Sequence, residues 1–152
     1  MLLDVRTVRE TPGATLPFSF EADLSELPFY GETPLHDPVR VDGTLYNRAG
    51  ILGVRETIRY AVDTNCARCA KPLHVEKTVE IDQIIADEVQ NEEDDDILLI
   101  ENDTVDAGEI ARDAVIFDMD MVHLCREDCR GLCPVCGADL NEGECEHVRV
   151  SF

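Results

Sequence analysis

Seven cysteines and one histidine fall in the spacing of paired metal ligands, and no other feature of this chain limits its fold as tightly. They run Cys66-x2-Cys69, then Cys125-x3-Cys129-x3-Cys133-x2-Cys136-x8-Cys145-x-His147. The segment that carries most of them, from His123 onward, is short, polar and poor in apolar side chains. It cannot fold by burial alone, whereas a structural zinc ion contributes on the order of 10 kcal/mol to a small site. The N-terminus, Met-Leu-Leu-Asp-Val-Arg, lacks the basic start and apolar run of a signal peptide. The longest uninterrupted apolar stretch, Ile97 to Ile100, is far too short to span a membrane. A cytoplasmic location is therefore expected, where thiols stay reduced and cysteine-rich patterns read as metal sites rather than disulfides.

The strongest motif is Gly131-Leu-Cys133-Pro-Val-Cys136-Gly137. Two thiolates separated by two residues can grip one ion in a tight turn. The glycine after the second cysteine lets backbone amides face the sulfurs. Cys66-Ala-Arg-Cys69 is the weaker motif, because redox proteins use the same pattern. A redox role needs a helix directly behind the pair, and here Lys71-Pro72-Leu73 leads into a strand. Seven cysteines plus His147 supply eight ligands, enough for two tetrahedral sites. One partition puts Cys133, Cys136, Cys145 and His147 on one ion and Cys66, Cys69, Cys125 and Cys129 on the other. The alternative is a single ribbon with Cys66 and Cys69 facing Cys133 and Cys136. Spacing alone does not choose between one ion and two. The Cys-Pro-x-Cys-Gly turn and the histidine favour zinc over an iron–sulfur cluster. A catalytic zinc would keep an open position, whereas ligands here are numerous enough to close the sites. His123 is a reserve ligand. His36 reads as a solvated loop residue and His74 as lying on the polar side of a strand. No nucleophile–base pair, phosphate-cradling glycine loop or spaced calcium loop stands out, and the chain is expected not to be an enzyme.

Hydrophobic alternation places the remaining elements. A strand is predicted over Leu2 to Val8, followed by a loop-rich stretch to about residue 38, with a core-contacting segment at Phe18 and Phe20. Val39, Val41 and Leu45 suggest a strand that turns at Asn47 to Gly50. From Leu52 to Thr64 the inward side reads Leu52, Val54, Ile58, Tyr60 and Val62. From Leu73 to Ile85 alternation returns, so the Cys66–Cys69 pair sits at a hairpin tip. Glu88 to Asp96 is expected to be a flexible acidic loop, and Ile97 to Ile100 a short edge strand. Asp106-Ala-Gly-Glu109 fits a helix cap, with Ile110, Ala114, Phe117 and Met121 at helical spacing and Ala111 and Val115 beside them as the core face. The expected fold class is α+β: an antiparallel β-rich domain with one main helix over residues 1–122, and a C-terminal zinc-knuckle segment over residues 123–152 packed on it.

The chain is acidic, with a formal net charge of −20. Such a protein is repelled by nucleic acid and anionic lipid. From Arg40 to Lys77, however, seven basic residues face four acidic ones. Arg55, Arg59, Arg68 and Lys71 within that stretch are candidate contacts for RNA or another partner. The competing reading is an ordinary solvated sheet face.

The hairpin Cys66-Ala-Arg-Cys69-Ala-Lys-Pro72, the helix at Asp106 to Asp118 and the run Cys125-Arg-Glu-Asp-Cys129-Arg-Gly-Leu-Cys133-Pro-Val-Cys136-Gly-Ala-Asp-Leu-Asn141 resemble the YceD family, the large ribosomal RNA subunit accumulation proteins. The ending resembles the family's long, Gram-positive form, and the Leu-Leu-Asp-Val-Arg opening and the Pro12-Gly13 turn also fit. The resemblance implies an accessory role in synthesis, processing or stability of the large-subunit ribosomal RNA, that is, in ribosome biogenesis. It implies ribosomal RNA or a basic ribosomal protein as partner, and no catalytic residues. The family's genes commonly neighbour one for a small zinc-type large-subunit ribosomal protein. Some relatives lack the cysteine cluster, and Cys145-Glu-His147 stands where a second cysteine is usual. Two other functions remain open at this point: a metal-dependent RNA-processing hydrolase, and a zinc-stapled interaction module unrelated to ribosomes.

Overall fold

A computed structural model describes residues 1–90 and 96–149. Its centre is a hairpin of two 15-residue strands, β4 (Ile51–Asn65) and β5 (Pro72–Ala86), paired antiparallel from Leu52–Ile85 to Asn65–Pro72. Preceding β4 are β1 (Leu2–Asp4), a helical turn α1 (Arg6–Arg9), β2 (Thr15–Ala22) and β3 (Val39–Arg48). After β5 come β6 (Ile97–Leu99), β7 (Thr104–Asp106) and the main helix α2 (Ala107–Asp118). The main sheet runs β2-β3-β4-β5-β6, antiparallel except for the parallel β5–β6 pair. Strands β1 and β7 form a separate antiparallel pair. The architecture is the α+β, antiparallel β-rich class with one main helix that the sequence predicts.

The core lies between one face of this sheet and α2. Val41, Leu45, Val54, Ile58 and Ile85 face it from the sheet, and Ala107, Ile110, Ala111 and Val115 from the helix. Asp106 caps α2 as predicted: its Oδ1 accepts from the Gly108 amide at 2.8 Å and the Glu109 amide at 3.4 Å. Asn47 anchors the β3–β4 turn. Its buried Nδ2 donates to the carbonyls of Val8 and Arg9, and its Oδ1 accepts from the Gly50 amide.

The structure corrects three expectations. Only Leu2–Asp4 of the first predicted strand is extended. The Asp4 carboxylate accepts from the Arg6 amide at 3.0 Å and starts the turn α1. Thr15–Ala22, read as loop, is a full strand. Pro17 disguised it, but β2 is an edge strand, where a missing N–H costs no ladder bond. Opposite Phe18 stands Gly43, where a Cβ would lie 2.3 Å from the Phe18 ring. The third concerns the helix stripe. Ile110, Ala111 and Val115 are buried as expected and Ala114 is partly buried against the core, whereas Phe117 is 91% exposed and Met121 lies exposed beyond the helix end. Of the predicted acidic loop, residues 91–95 lie outside the described residues.

Alternation also carries a residue into the core that its chemistry does not suit. Glu56 lies between Val54 and Ile58 on the inward side of β4, 0% exposed, and neither carboxylate oxygen has a hydrogen-bond partner. Burial pushes its carboxyl up to about 8, with Asp106 adding to the rise and the N-terminal ammonium opposing it. At neutral pH the fold holds it as the neutral acid.

Candidate metal centres

The eight predicted ligands converge into two groups of four, and in each the ligand atoms all lie within 4.8 Å of one another. The first holds Cys66, Cys69, Cys125 and Cys129; the second holds Cys133, Cys136, Cys145 and His147. The hairpin pair thus faces Cys125 and Cys129, not Cys133 and Cys136. All seven cysteines are free thiols.

Local hydrogen bonding explains why each Cys-x-x-Cys turn presents its sulfurs together. In the hairpin, the Ala70 amide donates to the Cys66 carbonyl at 2.9 Å and the Cys66 amide to the Lys71 carbonyl at 2.8 Å. In the tail, Gly137 donates to Cys133 at 2.9 Å and Cys133 to Ala138 at 2.8 Å. The two turns are copies of one design. The residue after the second cysteine is left-handed in both, with φ +62° at Ala70 and +74° at Gly137. Only the second turn uses the residue suited to that conformation.

The amides so turned act on the sulfurs. The Cys69 amide holds the Cys66 thiol down to about 6, and the Cys136 and Val135 amides do the same for Cys133. Asn141, which donates from Nδ2 to the Cys129 sulfur at 3.3 Å, lowers that thiol too. Burial pushes Cys125 up to about 12, reinforced by the neighbouring sulfurs. Easily ionised sulfurs are thereby crowded against others that resist ionising, Cys69 and Cys125 in the first group and Cys136 in the second, a conflict that a central cation would relieve. The spacing fits such an ion. Sulfurs at tetrahedral corners ~2.3 Å from a metal are about 3.8 Å apart. Here Cys66 and Cys129 are 3.7 Å apart and Cys69 and Cys125 3.6 Å. The Cys145 sulfur is 3.8 Å from His147 Nδ1. Both groups could hold a metal ion.

The first group joins the tail to the sheet. Cys66, Cys69 and Cys129 are buried with Leu73 and Leu124 packed against them, a small core separate from the main one. The Ala67 amide donates to the His123 carbonyl at 2.8 Å, and the Leu132 amide to the Arg68 carbonyl at 3.2 Å. Gly131, at φ +77°, has the Arg68 carbonyl 3.1 Å from where a Cβ would sit.

The C-terminal two-thirds of the chain, residues 54–151, match the family described as "Large ribosomal RNA subunit accumulation protein YceD". The chain belongs to the YceD family. Relatives in Mycobacterium tuberculosis and Mycobacterium bovis, each described as an uncharacterized protein, are 33% identical over 95 residues, which is 60% of this chain and 45% of theirs. An uncharacterized protein of Mycobacterium leprae is 25% identical over 151 residues, 92% of this chain and 67% of its own length. The chain therefore spans about half the length of the first of these relatives that it matches. No solved structure matches it. No helix among the described residues of this YceD-family chain is long and apolar enough to cross a membrane.

The four cations singled out as partner contacts do not form one free strip. Arg55 and Arg59 lie on the outward side of β4. Arg55 pairs with Asp82 at 2.9 Å and Arg59 with Asp42 at 2.8 Å. Arg68 turns into the tail, its Nη1 donating to the Cys129 carbonyl at 2.9 Å. Lys71, in the hairpin turn, has no ion-pair partner among the described residues. His123 joins neither metal group, and its buried Nε2 has no hydrogen-bond partner. His36 and His74 both bond to Asp63 through Nδ1, at 2.9 and 2.6 Å. Sequence reasoning missed Asn141 and the second role of Arg68. Arg68 acts only once the tail folds back on the hairpin, and Asn141 only once the tail closes on itself, and spacing carries no sign of either.

Proposed function

We propose that this chain is a non-catalytic, zinc-stabilised accessory factor in large-subunit ribosomal RNA synthesis, processing or stability, working in the cytoplasm. The match of residues 54–151 to the YceD family carries the reading. Zinc suits the donors: four sulfurs in one group and three sulfurs with one imidazole in the other are soft sets of tetrahedral size. Four protein ligands at each ion leave no open position of the kind a hydrolytic metal uses, which favours scaffolding over RNA cleavage. An ion in the first group would tie the tail to the β4–β5 hairpin of the β-rich domain, residues 1–122, and an ion in the second would close the tail, which begins at residue 123, on itself. With Arg55, Arg59 and Arg68 already engaged, the net charge of −20 favours a basic ribosomal protein over bare RNA as the direct partner.

The test is a strain lacking the gene. The ratio of large- to small-subunit ribosomal RNA should fall, and the intact gene should restore it. An unchanged ratio sinks the ribosomal reading. Cleavage of a large-subunit RNA precursor by the purified zinc-loaded protein would replace it with the hydrolase.

A further inference from the structure

The inner face of the sheet is wider than the helix that covers it. On β5, Val79 and Ile81 face the same side as the core residues of β4 but stay half-buried, because α2 lies over β4 and only partly over β5. Between them and the near side of α2 runs a groove of about 620 Å³. Ile110, Ala114 and Phe117 line it from the helix, and Leu98 from β6. Phe117 is 91% exposed, the most exposed large apolar side chain among the described residues, and it stands on the lip of this groove. It takes no part in the core, and among the described residues nothing covers it. Beside the groove the edge of β5 is open as well. β6 pairs only with Ile84–Ala86, so Pro72–Gln83 has no strand on that side among the described residues. An apolar groove next to a free edge is a surface shaped to receive another chain.

The charge around the groove says which chain. Its lining includes Asp96, Glu109, Asp113 and Asp118 and no lysine or arginine. Asp118 is held by Lys77 at 3.4 Å and Asp113 lies 3.2 Å from Arg112. Asp96 and Glu109 have no ion-pair partner among the described residues. A second copy of this chain would bring acid against acid, with −20 on each side. Nucleic acid would meet the same repulsion. A segment with apolar anchors on one side and Lys or Arg on the other satisfies both the floor and the rim.

We propose that the groove between α2 and β5 docks a basic amphipathic segment of a partner protein. Its apolar side chains lie on Val79, Ile81, Ile110 and Ala114, Phe117 closes against them, and its cations meet Asp96 and Glu109. This deepens the functional reading above and rests on it only for which proteins supply the segment.

The experiment uses the full-length, zinc-loaded protein and two labelled synthetic peptides of equal charge. One is an 18-residue amphipathic helix of Leu and Lys; the other has Ser in place of every Leu. Fluorescence anisotropy should show saturable binding of the Leu/Lys peptide, one per chain. Phe117→Ser should weaken it at least tenfold, and Glu109→Lys should weaken it and flatten its salt dependence. The Ser/Lys peptide should bind feebly and without regard to Phe117. Because Phe117 is bare, the serine variant should melt at the wild-type temperature, so a loss of binding is not a loss of fold. Equal binding of the Leu/Lys peptide to wild type and Phe117→Ser overturns the proposal. So does a wild-type dimer in sedimentation that Phe117→Ser dissolves, which would make the occupant a second copy. The ribosomal reading fails separately: an unchanged ribosomal RNA ratio in the deletion strain removes it while leaving peptide binding in place.

Discussion

Replacing Glu56 by glutamine should make this protein more stable, by an amount that grows with pH. The carboxyl is fully buried with both oxygens unpartnered, and its pKa stands at about 8 in the fold against 4.5 for an ordinary glutamate. The folded state therefore keeps its proton longer than the unfolded chain does. Below pH 4.5 both states are protonated and the residue is neutral for stability. As pH rises toward 8 the unfolded chain gains by ionising and the fold does not follow, so stability is lost across that window. At ~1.4 kcal/mol per pH unit, the loss reaches a ceiling of about 2 kcal/mol at pH 6, about 3 at pH 7 and about 5 above pH 8. Glutamine keeps the shape and also leaves its polar atoms unpartnered, but it cannot ionise, so it removes this loss. Urea unfolding of wild type and Glu56→Gln at pH 6, 7, 8 and 9, at fixed zinc and salt, measures the difference while cancelling the pH dependence that both share through their thiols. With a urea slope of about 2 kcal/mol/M, the midpoint should move up by about 1.5 M at pH 7. A gap that stays flat with pH, or a wild type that gains on the variant as pH rises, would show that Glu56 is ionised and paired in the fold, and the reasoning would fail.

Elemental analysis of the gently purified protein should find two zinc ions per chain. Stripping them with a chelator should expose residues beyond His123 to protease while amides of β3, β4 and β5 remain protected from hydrogen exchange; simultaneous loss of both would contradict separate stabilisation of tail and sheet. Ala70→Gly should stabilise the metal-loaded protein by about 1 kcal/mol in the same urea assay, since Ala70 holds φ +62° at the position that Gly137 occupies in the second turn. Asn141→Ala removes the donor to the Cys129 sulfur and should weaken metal binding in the first group about tenfold or more, read by competition with a chromophoric chelator.

What the sequence made legible follows from how local each feature is. A Cys-x-x-Cys turn is closed by bonds within six residues, so Cys66–Cys69 and Cys133–Cys136 could be read as ligand pairs before any fold was known. Which pairs share an ion depends on where the tail meets the hairpin tip, and that is fixed by contacts such as Arg68 to Cys129, about sixty residues apart. The long strands β4 and β5 were legible because fifteen residues of alternation outweigh any single exception. Glu56 is such an exception, and the period of two already placed it inside. β2 was hidden because Pro17 argues against a strand unless the strand is known to be an edge. The helix stripe departed at Phe117 because a pattern of about three turns marks apolar positions without saying which of them the sheet is wide enough to cover.

That last mismatch bears on how the molecule divides its work. The tip of the β4–β5 hairpin carries Cys66 and Cys69 of the first group, and the groove begins at Val79, seven residues along β5 from its start at Pro72. At ~3.3 Å per strand residue the two are on the order of 20 to 30 Å apart. They also depend on different forces: thiolate–metal bonds would hold the tail, whereas sheet and helix burial shapes the groove. Neither needs the other in order to form. A relative that had lost its cysteine cluster could therefore keep the groove, whereas one that had filled the groove with a second helix could not keep Phe117 bare. If docking is the shared activity, the acidic rim and the uncovered face of β5 are where it resides, and the two cysteine groups would serve to hold the tail at the far end of the hairpin.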